Sequence, residues 1–142
     1  MNRFAELLDS LSYEPGRNNK LRLITQYFRD VPDPDRGYAL AALTGTLSFK
    51  HAKAGLIREL IAARSDPELF ALSYDYVGDL SETVALMWPK TETSSPLKDT
   101  QRGHNNPPPP SLTEVVTTLA TLGKAEMPAQ LTRWLDELDE TG

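Results

Sequence analysis

Lys50, His51 and Lys53 make the strongest polar cluster in this chain. They follow Gly45 and precede an apolar helical pattern, so flexible charged heads sit on a frame that can fix their position. That arrangement suits phosphate oxygens, which lysine and histidine meet as point charges and hydrogen-bond donors. Arg17, Lys20 and Arg58 extend the same basic character. No aromatic residues alternate with these cations, as they would on a platform for stacking single-stranded bases. The chemistry expected is contact with a phosphate backbone, without base readout. The same residues also fit an ordinary solvated surface.

Other chemistry is poorly supplied. The only histidines are His51 and His104, and neither sits in a pattern of three metal ligands. Asp33 and Asp35 decorate a proline-rich turn, and Asp79 reads as a helix cap, so no metal site is expected. Ser48 and Ser81 have no recognisable activating partner. The chain contains no GxxxxGK[ST], no GxGxxG after a strand and no GxSxG elbow. Cysteine is absent, which removes disulfides, cysteine-ligated zinc and a thiolate nucleophile. Catalysis by this chain alone is not expected, and no cofactor site is visible in it.

The elements that must hold the basic cluster read as helices. Phe4, Leu7, Leu8 and Leu11 recur at helical steps and predict a helix over residues 2–11. Pro15-Gly16 breaks the chain, and Leu21, Ile24 and Phe28 mark a second helix over 18–29, with Arg22, Gln26 and Arg29 toward its other side. A rigid acidic turn, 31–35, leads to a short helix of small residues over 38–43. Residues 46–54 show little periodicity and read as an exposed basic loop. Leu56, Ile57, Leu60 and Ile61 then predict a helix over 56–63. Ser65-Asp-Pro-Glu68 reads as a capping box opening the next one. In YDYVGDLSETVALMWP, residues 74–89, a Gly78 turn feeds Asp79, which caps a short apolar helix while Glu82 reaches back. Pro89 stops that helix. Ser111 opens another capping box, and a last helix covers 127–138. No strand is expected, so the fold class is all-α and irregular.

Residues 90–110 are rich in Thr, Ser, Gly, Asn and Pro, with almost nothing apolar. They predict a flexible linker ending in a polyproline spacer. The organisation expected is a helical unit over 1–89, the linker at 90–110, and a helical continuation of the same domain over 111–142. The formal net charge of −5 hides an uneven distribution. Residues 1–90 carry eleven basic and twelve acidic side chains, whereas 91–142 carry four and eight. A local basic surface is therefore compatible with the acidic total. No apolar run approaches membrane-spanning length, and the N-terminus does not read as a signal peptide, so a cytoplasmic location is the expectation.

Residues 4–45, 47–61 and 69–89, including GDLSE at 78–82, resemble the N-terminal helical DNA-binding region of bacterial ATP-dependent DNA ligases. They resemble in particular the form encoded beside a helicase and an exonuclease in a bacterial repair cluster. Residues 111–139 look similar to the helices that follow, ending in WLDELD. The resemblance implies a domain that holds duplex DNA around a nick and helps encircle it. It implies nicked or intact duplex DNA as partner, and association with the nucleoid when bound. Gly78 and Asp79 correspond to the family's GDL turn. The adenylated lysine of such ligases lies in KxDG, whereas this chain has Lys98-Asp-Thr. The resemblance thus implies a non-catalytic, incomplete portion. ATP and Mg²⁺ belong to the full-length parent, together with the missing ligase catalytic domains. A helical protein-interaction module, or a ligase remnant that no longer binds DNA, is the alternative.

Overall fold

The computed structural model describes residues 1–90 and 108–142. Among them every regular element is a helix and no strand occurs. The order is α1 (Asn2–Tyr13), α2 (Arg17–Asp30), α3 (Asp35–Leu43), α4 (Ala54–Arg64), α5 (Pro67–Val77), α6 (Leu80–Met87), α7 (Leu112–Thr121) and α8 (Met127–Glu137). The fold is an irregular all-α arrangement. The expectations for 91–107, among them His104, Lys98 and most of the linker, lie outside the described residues.

Apolar spacing decides which helices meet. Phe4 and Leu7 of α1, Tyr27 of α2, Ala39 of α3 and Leu112 and Val116 of α7 bury together with Val31 in a first core. Ala39 is fully buried, and so small a side chain allows α3 to approach its neighbours closely. Ile61 of α4, Phe70 of α5, Val84 of α6 and Trp88 form a second core, with Leu135 of α8 packed against it. The two C-terminal helices therefore part company. α7 lies on α3 and completes the first core, while α8 lies on α4 and covers the second.

Three local details differ from the sequence expectations. Asp66, not Ser65, caps α5: its carboxylate accepts from Glu68 N at 2.9 Å and Leu69 N at 3.1 Å. Ser65 closes α4 instead, donating its hydroxyl to Ile61 O at 2.9 Å. Aspartate at this position satisfies two orphan amides and leaves proline at the first helical residue, where no N–H is lost. At α6 only half of the expected box forms. Asp79 accepts from Glu82 N at 2.9 Å and from Ser81 Oγ at 2.6 Å. No return bond from the Glu82 side chain is made among the described residues. Asp35, expected merely to decorate a turn, accepts from Thr113 N at 2.9 Å and from the Thr113 hydroxyl, which fastens α3 to α7.

Gly78 ends α5 with φ +78°, and its N–H donates to Tyr74 O at 2.8 Å. The left-handed conformation turns the chain within one residue, so Asp79 can start α6 at once. Gly45 does the same after α3, with φ +70°, and delivers the chain into the basic loop.

Candidate nucleic-acid interface

The loop between α3 and α4 is anchored on one side and open on the other. Leu47 and Phe49 pack against the first core, while Ser48 and Lys50 are exposed. The period-two alternation of an extended segment explains this: alternate side chains point to opposite sides. Lys50 and Lys53 are exposed, and His51 is half-buried. Lys53 is also the residue on which α4 starts. Its N–H donates to His51 O at 3.1 Å, and its carbonyl accepts from Leu56 N at 3.0 Å. The backbone is thereby held while the ammonium stays in solvent. No side chain caps α4, and the N–H groups of Ala54 and Gly55 have no partner among the described residues. Unpaired amides at a helix start, beside three basic side chains, form a cradle matched to phosphate oxygens.

Arg17 and Lys20 lie in the first turn of α2, Arg17 exposed and Lys20 half-buried. Their surroundings are less open to an anion. Glu14 accepts from Gly16 N at 2.8 Å and from Asn19 Nδ2 at 3.3 Å. The Gly16 amide first, then the Asn19 side chain, hold the Glu14 carboxyl below its ordinary pKa, with Arg22 and Lys20 adding to the effect. An ionised carboxylate already occupies the start of this helix. Arg58 is engaged as well: Nη2 donates to the Tyr74 hydroxyl at 3.1 Å, and its guanidinium lies 5.1 Å from the centre of that ring. It braces α4 on α5 through a cation–π contact.

Lys50, His51 and Lys53 lie on one short segment, with Arg58 further along α4. No hydrogen bond or ion pair among the described residues links Arg17 or Lys20 to that segment. Gly78, Asp79 and Glu82 sit at the α5–α6 corner and shape it. Hydrogen bonds from Ser81 and Glu82 hold the Asp79 carboxyl below its ordinary pKa, as a working cap requires.

Two arginines escaped the sequence selection. Arg22 and Arg29 are exposed on the outer side of α2, and neither has an ion-pair partner among the described residues. The signal that finds them is charge segregation along the chain. Residues 15–29 contain Arg17, Lys20, Arg22 and Arg29 and no acid. Residues 36–58 contain Arg36, Lys50, Lys53 and Arg58 and likewise no acid. The acids of the N-terminal part fall between and beyond these stretches.

Among the described residues no three His, Cys, Asp or Glu side chains are grouped so that they could hold a metal ion. No helix there is long and apolar enough to cross a membrane. No protein-family model matches this chain, and no curated protein or solved structure matches it either.

Proposed function

We propose that this chain is the non-catalytic DNA-binding portion of an ATP-dependent DNA ligase, contacting the duplex backbone around a nick. The observation that carries the reading is the start of α4. There exposed Lys50 and Lys53 and half-buried His51 immediately precede the free amides of Ala54 and Gly55. The sequence resemblance supplies the ligase context. In this reading adenylation and phosphodiester formation belong to a nucleotidyltransferase domain outside this sequence, and ATP and Mg²⁺ act there. No chemical step is assigned to this chain. A cytoplasmic, nucleoid-associated location follows from the proposal.

Titration of a labelled nicked duplex at low salt tests it. Binding should occur, with little dependence on base sequence. Lys50→Gln with Lys53→Gln should weaken it about tenfold or more, because two phosphate contacts are lost. Undiminished binding by that variant would remove the α4 start from the interface.

One observation favours a protein-interaction module instead. Leu72, Tyr76 and Leu86 are exposed along a shallow groove between α5 and α6, and Tyr76 is 93% exposed. Exposed apolar surface of this kind marks a contact site. Concentration-dependent self-association without DNA affinity would select this reading.

A further inference from the structure

The outer face of α2 has an unusual composition. Asn18, Arg22, Thr25 and Arg29 recur at four- and three-residue steps, so they line one stripe of the helix. All four are exposed, whereas Leu23, Tyr27 and Phe28 turn into the first core. Gln26 borders the stripe and donates to Asp30 Oδ2 at 2.8 Å. Asp30, the acid that follows Arg29, is drawn also toward Arg3 of α1, 3.6 Å away. The one carboxylate at this end of α2 is therefore turned to other partners. The stripe presents two guanidinium groups and two neutral polar side chains.

We propose that this stripe is a second phosphate-contacting surface, on which Arg22 and Arg29 meet two different phosphates of duplex DNA. The inference rests on the reading of the chain as a duplex-binding domain and extends it to a face that the α3–α4 loop does not include. Charge complementarity identifies the occupant. Guanidinium forks match phosphate oxygens two at a time, and Asn and Thr add hydrogen bonds between them. The spacing suits a backbone. Seven residues of α-helix rise about 10 Å, which sets the two arginines far enough apart to meet different phosphates of one backbone. The stripe holds no aromatic ring on which an unpaired base could stack, which favours duplex over single strand.

The test compares the unmodified chain, R22Q/R29Q and K50Q/K53Q by fluorescence anisotropy on nicked duplex and on single-stranded DNA, across 50–200 mM salt. Circular dichroism checks that each variant is folded; both arginines are exposed, so helix content should not change. R22Q/R29Q should flatten the plot of log affinity against log salt by about 1.8, the release of counterions from two phosphates. Over that fourfold salt range its affinity should then fall about twelvefold less than that of the unmodified chain. An unchanged slope for R22Q/R29Q, with a flattened one for K50Q/K53Q, would overturn the α2 surface while leaving duplex binding intact. No duplex binding by the unmodified chain would overturn both. Tighter binding to single strands, weakened by R22Q/R29Q, would overturn the assignment of duplex as the occupant.

Discussion

Asp35 shows how much one side chain can hold. Its carboxylate takes the amide and hydroxyl of Thr113, and Ser111 Oγ takes the Glu114 amide at 3.0 Å, so two orphan donors of α7 are satisfied from different parts of the chain. Burial works to raise the Asp35 pKa, but the Thr113 hydrogen bonds outweigh it and hold the carboxyl below its ordinary value. A carboxyl whose folded pKa is depressed stabilises the fold above its unfolded value, about 3.9, and that contribution fades as pH falls through the folded one. Asp35→Ala should therefore cost about 2 kcal/mol near neutral pH. In urea titrations the gap to the unmodified chain should narrow toward pH 3; a gap independent of pH would show that Asp35 acts by packing alone. None of this could be read from the sequence. Its partner is 78 positions away, and no local spacing encodes a pairing across that distance. Similarly, Lys50 and Lys53 were legible as cations in a loop, but the free amides beside them depend on the absence of a cap, which only the folded backbone reveals.

At the scale of elements, the sequence was far more readable. The eight helices of the described residues follow from apolar periodicity and from the breaks at Pro15-Gly16, Gly45, Gly78 and Pro89, because each helix must bury a stripe and each break has a steric cause. The sequence places the α5 cap at Ser65 rather than Asp66 because the two are adjacent and both are good caps. The α3–α4 segment was read as lacking pattern, yet Leu47 and Phe49 alternate with polar residues and anchor it. A period of two over so few residues is easily lost among helical signals. The α5–α6 corner gives a direct test of element-level reasoning. A Cβ at Gly78 meets nothing within 4 Å, so the penalty of Gly78→Ala comes from its φ of +78° alone. It should cost about 1 kcal/mol, and Asp79→Ala about the same through the lost cap. Thermal unfolding would resolve both, and a neutral Gly78→Ala would mean that the corner relaxes.

The whole molecule is governed by the divided docking of α7 and α8. Leu112 is buried in the first core, whereas Asp136 of α8 accepts from Trp88 Nε1 at 2.9 Å and pairs with Arg64 at 3.0 Å beside the second. Residues 122–126 join these two helices, so each core is tied to the other through a short connection. Leu112→Ala should cost about 2–5 kcal/mol. Because the cores are linked, its effect should extend to the fluorescence of Trp88, which lies in the second core and is read in a Trp134→Phe background, and shift that transition as far as the far-ultraviolet dichroism. A Trp88 transition that stays in place would mean that the cores unfold separately. The Asp35–Thr113 pairing also imposes an order on synthesis. A ribosome adds about 5–20 residues per second, so Thr113 follows Asp35 after roughly 4–16 s. Throughout that interval the nascent chain carries an open seat for α7, with Phe4, Leu7 and Val31 still waiting for Leu112 and Val116. The α1–α3 side of the first core is thus made well before it can be finished, and its exposed face is where a chaperone would meet it.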